Sequence, residues 1–254
     1  LSLHDALPIY CGGTGFMIPD VSPADPRFGK AVVCVCRQAN LDATKSDRLV
    51  LYSQLGLLTE LTFDKFIPDG LGLKPREQRN LTLAFNFVRE FAENPSGWIV
   101  LYGGYGCGKT HLAAAVANHR IAEGFPALFI NTPDLLDHLR ATYSPSSSQS
   151  YDERFEEVRN APLLILDDLG SQNNTDWVQE KLYQIFNHRY NAKLPTIITT
   201  NEDTEGLDRR IRSRIEDVSI ARKIVILAPD FRRGGVEDQS ELSTLDLHDD
   251  KTLD

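Results

Sequence analysis

A chain of 254 residues, 41% hydrophobic and 25% charged, has room for one large α/β domain with a small appendage, and its composition is that of a soluble globular protein. The net charge of −9 gives no global basic signature for nucleic acid, although a local basic groove stays compatible with it. No run of about 18 apolar residues could cross a membrane, and no basic leader with a long apolar core is present, so the expected compartment is cytoplasmic.

The chain opens on Leu1 rather than Met, which reads as a fragment or an incomplete gene product. Residues 1–9 resemble a translated adapter scar and are set aside from fold reasoning. Three of the four cysteines follow: Cys11, Cys34 and Cys36. Cys11-Gly-Gly-Thr-Gly-Phe looks like the second half of a C-x-x-C knuckle, with Pro8 where the first cysteine would fall, and Cys34-Val-Cys36 could supply the other pair. A structural zinc needs four ligands. Residues 10–60 are therefore read as a truncated zinc-ribbon-like region with a helical connector, zinc being expected only in an intact version. The plainer alternative is a set of buried or free thiols.

Leu61-Thr62-Phe63-Asp64-Lys65-Phe66 leads through a Pro/Gly-rich turn to a helix predicted over 75–92, with Leu81, Phe85 and Val88 at helical spacing. Five apolar runs then alternate with helical material: 98–102, 127–131, 163–167, 196–200 and 223–227. Short apolar strands between helices predict a mostly parallel sheet covered on both faces. Ser144–Ser150 reads as a flexible loop.

The first strand runs into Gly103, Gly104, Tyr105, Gly106, Cys107, Gly108, Lys109 and Thr110, which fit G-x-x-x-x-G-K-[ST] in full. Four glycines in eight residues let the backbone turn tightly and aim several N–H groups at one anion. Lys109 is placed to reach the outer phosphates of a nucleotide and the Thr110 hydroxyl to ligate Mg²⁺. Strand, glycine loop, helix is also the order that lays phosphate on a helix N-terminus. Leu163 to Leu166 ends in Asp167-Asp168. Two adjacent carboxylates at a buried strand end are costly unless something positive stands there. Asp167 is assigned to the metal, through water, and Asp168 to orienting or deprotonating the attacking water. The strand Thr196–Thr200 ends in Asn201, whose amide can both donate to a phosphate oxygen and accept from water. Alone, Asn201 could equally be a turn residue.

Residues 207–215 pack Arg209, Arg210, Arg212 and Arg214 into six positions, with Arg210 and Arg214 on one helix face. One could be delivered in trans to a neighbour's nucleotide; a solvated basic face or a DNA-backbone patch would use the same residues. Arg232 follows the last strand, and residues 234–254, with seven acids and one lysine, read as an acidic disordered tail.

Taken in order, Phe63-Asp64-Lys65-Phe66, the loop through Thr110-His111-Leu112, Leu163–Gly170, Thr199-Thr200-Asn201 and Ile211–Ile215 resemble the bacterial replicative helicase loaders of the DnaC and DnaI type, AAA+ ATPases of the IstB-like superfamily. The resemblance spans residues 61–233. It implies a P-loop three-layer sandwich with a mostly parallel five-stranded sheet. It makes Lys109 and Thr110 Walker A, Asp167 and Asp168 Walker B, Asn201 sensor 1, Arg214 the arginine finger and Arg232 sensor 2. Phe63, Phe66 and His111 would border the nucleotide. Asp168 is one methylene shorter than the glutamate the family also allows, which suggests slow, switch-like hydrolysis. Only the acidic tail follows Arg233, so the usual helical lid is expected to be missing. The family also implies a helical insertion touching single-stranded DNA, which fits residues 134–151 with Arg140 and Tyr143 as contacts.

The function so implied is ATP- and Mg²⁺-dependent loading of a replicative helicase onto single-stranded DNA, with self-association through Arg214. Two alternatives stand beside it. One is an IstB-like transposition helper acting with a transposase on duplex DNA. The other is a nucleotide-gated binding module with little hydrolysis.

Overall fold

The structure, a computed structural model, describes residues 11–12, 14–35, 37, 53–141, 151–172, 175–201 and 207–233. The chain divides into two compact units, Leu1–Tyr52 and Ser53–Asp254. In the first, β1 (Phe16–Met17) pairs antiparallel with β2 (Val32–Val33). The turn before β1 is closed by the Thr14 N–H on the Cys11 carbonyl at 3.1 Å, and the Cys34 N–H donates to the Gly15 carbonyl at 2.9 Å. Cys11 and Cys34 are thereby brought to one end of the hairpin, both buried. Cys36 and the connector over 38–52 lie outside the described residues.

The second unit opens with two short 3-10 turns, Gln54–Leu57 and Phe63–Lys65. Helix α1 (Pro75–Glu93) starts where expected, because Pro75 suits a first-turn position and the Glu77 carboxylate accepts from the Lys74 N–H at 2.9 Å. Its buried stripe is Leu81, Ala84, Phe85, Val88, Phe91 and Ala92. Each large member contributes about 1.5–3 kcal/mol on burial. There follow β3 (Trp98–Gly103), α2 (Lys109–Ala122), β4 (Leu128–Asn131), α3 (Thr132–Ala141), α4 (Tyr151–Arg159), β5 (Leu164–Asp167), α5 (Asp176–Asn191), β6 (Thr196–Thr200), α6 (Arg209–Ile215) and β7 (Ala221–Ile226).

The five strands β3–β7 lie parallel in the order β4-β5-β6-β3-β7. Odd residues of β3, Ile99 and Leu101, join Phe129, Ile165 and Ile197 against α1 and α2. On the other face Trp98 meets Phe186 and Tyr190 of α5, with ring centroids 5.6 and 6.0 Å away. A sheet buried on both faces needs apolar side chains at every position, which is why β3 and β5 read as unbroken apolar runs. The outermost strand β7 starts two residues before the apolar run that marked it. Exposed Arg222 and Lys223 hide its first half from a hydrophobicity reading, while pairing of Trp98 with Ala221 fixes where it begins. The serine-rich stretch, Tyr143 and the acidic tail lie outside the described residues.

The amino ends of β5 and β6, at the pole opposite their carboxyl ends, are tied by one side chain. Arg189 near the end of α5 is fully buried, and among the described residues no carboxylate pairs with it. It donates to the carbonyls of Arg159 (3.1 Å), Ala161 (2.8 Å) and Pro195 (2.5 Å) and to the Thr196 hydroxyl (2.9 Å). Burial pulls its pKa down to about 9, so it remains protonated at neutral pH. The guanidinium fork thus closes the α4–β5 and α5–β6 connections together. Replacing it with methionine keeps the volume but leaves those acceptors unsatisfied. Arg189→Met should lose about 3 kcal/mol of unfolding free energy, read from the midpoint of urea denaturation.

Candidate nucleotide-binding site

The loop between β3 and α2 is shaped by what its glycines lack. A Cβ on Gly106 (φ +69°) would collide with the Asp230 carboxylate, and one on Gly108 (φ +103°) would come within 3.0 Å of Phe66 Cε2. At Gly103 a Cβ would sit 2.7 Å from the Ile226 carbonyl. The loop is therefore packed on the end of β7, on the segment after it and on Phe66, and only glycine fits those contacts. The Phe231 N–H donates to the Gly106 carbonyl at 3.1 Å, closing the same wall. Tyr105 is exposed, and Cys107 is buried, its thiol pushed up in pKa by that burial.

Lys109, the first residue of α2, is buried and folds its ammonium back into the loop. It donates to the carbonyls of Gly103 (2.8 Å) and Gly104 (2.7 Å). Phosphate oxygens carry the charge those carbonyls lack, and charge-assisted hydrogen bonds are about twice as strong. The lysine is thus held at the loop by contacts an anion can outcompete.

Across the sheet end stands Asp167, the last residue of β5 and buried. The Thr110 hydroxyl donates to it (3.0 Å to Oδ1, 3.2 Å to Oδ2), and the Thr199 hydroxyl donates to Oδ1 at 2.7 Å. The Thr132 hydroxyl holds the Asp167 carbonyl at 2.9 Å. Burial pushes the carboxyl pKa up. The Thr199 and Thr110 hydroxyls pull it back, the Asp168 charge adds to the rise and the Lys109 charge opposes it. Asp168 has φ +59°, a left-handed conformation rare for a residue with a Cβ. That turn sends its N–H to the Thr199 hydroxyl (2.9 Å) and its carboxylate to the Asn201 amide, which donates to Oδ1 at 2.8 Å. The two acids are thus aimed apart: one at Thr110, the other at the tip of β6.

The structure brings together Lys109, Thr110, Asp167, Asp168 and Asn201, as the motifs imply. Phe66 is buried beneath the loop, stacked on Phe85 (5.5 Å, 15°) and edge-on to His111 (5.1 Å). His111 donates to the Thr62 carbonyl at 2.9 Å, and Phe63 packs edge-on to Phe85 at 5.8 Å. These three pin residues 62–66 against α1 and α2. Arg232 is exposed, with its own N–H on the Asp230 carboxylate at 2.9 Å. Arg214 stands elsewhere, on α6 against α5. It donates to the Arg210 carbonyl (2.6 Å) and the Asn187 amide oxygen (2.5 Å), and lies over the rings of Tyr183 and Tyr190. Arg140 lies over Trp177 at 5.1 Å, which sequence reading did not pair with it. Thr132 and Thr199 were also missed as site residues. The Thr-Thr-Asn ending of β6 carried the signal for Thr199, while nothing local marks Thr132.

The donor set fits the groups expected. A threonine hydroxyl and a carboxylate are hard oxygen ligands, suited to Mg²⁺ and not to a thiophilic ion. The glycine loop opens onto a helix N-terminus, suited to phosphate.

Residues 70–212, more than half of the chain, match the family described as IstB-like ATP binding protein. The replicative helicase loader DnaI of Bacillus subtilis is 28% identical over 159 residues, which is 59% of this chain and 50% of that protein. A crystal structure of the DnaC helicase loader superposes with a TM-score of 0.55 at 28% identity, covering 66% of this chain and 97% of that one. The replication initiator DnaA, bound to AMPPCP and single-stranded DNA, superposes with a TM-score of 0.54 at 25% identity, covering 65% and 50%. The chain spans about half the length of the curated relatives it matches. The fold is that of an AAA+ P-loop protein. Among the described residues no helix is long and apolar enough to cross a membrane.

The Asp167 carboxyl titrates at higher pH in the folded chain than in the unfolded one. Its protonated form is therefore favoured by folding, and that advantage, present below about pH 4, is lost as pH rises through the folded pKa. At neutral pH the ionised, nucleotide-free site costs stability. Asp167→Asn should raise the thermal midpoint of nucleotide-free protein at pH 7.5, and the gain should shrink toward zero as the buffer is taken down to about pH 4.

Proposed function

We propose that this chain, which belongs to the IstB-like ATP-binding family, binds ATP with Mg²⁺ in the Gly103–Thr110 loop, hydrolyses it slowly, and uses the cycle to load a replicative helicase onto single-stranded DNA. The observation that carries the reading is the convergence of Thr110 and Thr199 on Asp167, with Asn201 on Asp168. MgATP, when bound, supplies the phosphoanhydride and a cation that offsets charge developing on its oxygens.

The chain's own residues supply the rest. Lys109 leaves the Gly103 and Gly104 carbonyls for phosphate oxygens. Thr110 and Asp167 would hold the metal, Asp167 through water. Asp168 orients the attacking water and takes its proton, and Asn201 fixes the Asp168 carboxylate while offering its carbonyl oxygen to that water. Phe63, Phe66 and His111 form the wall behind the loop. Arg232 borders it beside Asp230. Arg214, held on α6, would complete the site of a neighbouring copy, which makes hydrolysis depend on assembly. Loader names among the relatives support the helicase as partner. The single-stranded DNA in the DnaA complex supports a DNA-binding role, for which Arg140, beside Trp177, is the contact proposed here.

The test uses two variants that fail for different reasons. Lys109→Ala should abolish nucleotide binding and turnover. Arg214→Ala should bind ATP normally yet lose at least about tenfold in turnover, since an arginine finger is worth roughly 10³–10⁵. Mixing the two should restore part of the activity, because Lys109→Ala subunits still donate Arg214. Turnover should respond to single-stranded DNA, and the protein should raise strand unwinding by the host's replicative helicase on a protein-coated single strand. A response to duplex alone, or no helicase effect, overturns the loader reading; binding with no turnover under any condition overturns the motor.

A further inference from the structure

Far from the loop, the C-terminal ends of α1 and α2 meet at Glu93, His119 and Glu123. The His119 Nε2 atom lies 3.7 Å from Glu93 Oε1 and 3.6 Å from Glu123 Oε1, and the three ligand atoms fall within 4.8 Å of one another. Those separations are too long for hydrogen bonds. The nitrogen is shut off from solvent and has no hydrogen-bond partner among the described residues. A ring nitrogen hidden between two carboxylate oxygens, bonded to neither, is an unexplained polar atom.

Two ligands bound to one tetrahedral zinc at about 2.0–2.1 Å stand about 3.3 Å apart. The two spacings from His119 need to contract by only a few tenths of an ångström. His119 and Glu123 are one helical turn apart, so their side chains project together from α2. The other element brings the third ligand. The ring of His119 is braced edge-on by Phe63 at 6.0 Å. Arg120 donates to Glu123 Oε2 (3.3 Å) and to the carbonyls of Ala92 (3.4 Å) and Glu93 (3.3 Å). It fixes the end of α1 and leaves Glu123 Oε1 turned to the histidine. Two carboxylates and one guanidinium sum to a single negative charge, which still attracts a dication.

We infer that Glu93, His119 and Glu123 form a zinc site with one nitrogen and two oxygen ligands, its fourth position open to water, clipping the end of α1 to the end of α2. One imidazole with two carboxylates suits Zn²⁺ and leaves Mg²⁺ a poor competitor. The clip braces the helix whose first residue is Lys109, and none of its three ligands is a cysteine.

The experiment uses the untagged full chain with Cys11, Cys34 and Cys36 changed to serine, so that those thiols cannot hold metal. Equilibrium dialysis against micromolar Zn²⁺, followed by metal analysis, should find one equivalent bound. His119→Ala in that background should reduce it to none, and Glu93→Gln or Glu123→Gln should weaken binding at least about tenfold. Zinc should also raise the thermal midpoint, an effect lost with His119→Ala and not reproduced by magnesium. All three side chains reach solvent, so circular dichroism can establish that each variant folds. An unchanged equivalent in His119→Ala overturns the site. So does the absence of bound zinc, in which case the cluster is only a surface contact of His119 with two glutamates.

Discussion

Everything at the working end of this fold depends on one ionised carboxylate kept out of water. Asp167 ends a strand with neighbours on both sides, so its side chain cannot turn to solvent. An isolated buried carboxylate would take up a proton instead. Three hydroxyls, from Thr110, Thr132 and Thr199, each on a different element, surround the residue. They stabilise the site without neutralising it, because hydroxyls donate hydrogen bonds but carry no charge. A divalent cation bound with phosphate would remove the remaining electrostatic cost, so what the buried carboxylate costs on its own becomes affinity for the metal.

Sheet order decides which groups can share that carboxylate. In the order β4-β5-β6-β3-β7, β6 lies between the strand that carries Asp167 and the strand that feeds the glycine loop. Register places Tyr102 opposite Thr200 and Leu166 opposite Ile198, so the three strand ends are level. Thr199 therefore meets Asp167 directly, and Thr110, one residue into α2, reaches the same oxygen from the far side. Asn201 lies just beyond and catches Asp168. A slip of one residue in β6 would turn Thr199 to the other face and separate both pairs. The packing of Ile197 against one helical layer and Ile198 against the other is what prevents it.

Much of this was legible in the sequence because it is written in contiguous residues. The glycine loop, the Asp167-Asp168 pair, the Thr-Thr-Asn ending and four of the five strands are local patterns with local physical causes. What stayed hidden depends on contacts far apart in the chain. Thr132 reads as the start of a helix, and only its nearness to the end of β5 makes it a ligand of the Asp167 backbone. Phe66 reads as an aromatic near a nucleotide, while the structure spends it as packing under Gly108. Nothing in the sequence singles out Arg189, yet it is among the most buried side chains of the domain. No periodicity marks it, since its partners are backbone carbonyls, which every residue has. β7 was misjudged at its start because an edge strand exposes charged side chains that a central strand cannot.

Spacing leaves any of the four arginines of residues 209–214 able to act in trans, and only the resemblance singles out Arg214; the packing separates two of them. Arg210 is already neutralised: it pairs with Asp208 at 2.9 Å and Glu180 at 3.4 Å, and lies over Tyr183 at 3.9 Å. Moving it to another anion would break two ion pairs. Among the described residues Arg214 is held only by neutral acceptors and ring faces, and its buried Nε has no hydrogen-bond partner. Hydrogen bonds to neutral groups contribute about 1 kcal/mol each, and a phosphate offers more than that to a guanidinium whose charge is unspent. A residue that must act on a neighbour's nucleotide has to be preorganised without being satisfied. Arg214 meets that condition and Arg210 does not. The difference comes from Asn187, which meets Arg214 with a neutral amide where α5 gives Arg210 the carboxylate of Glu180.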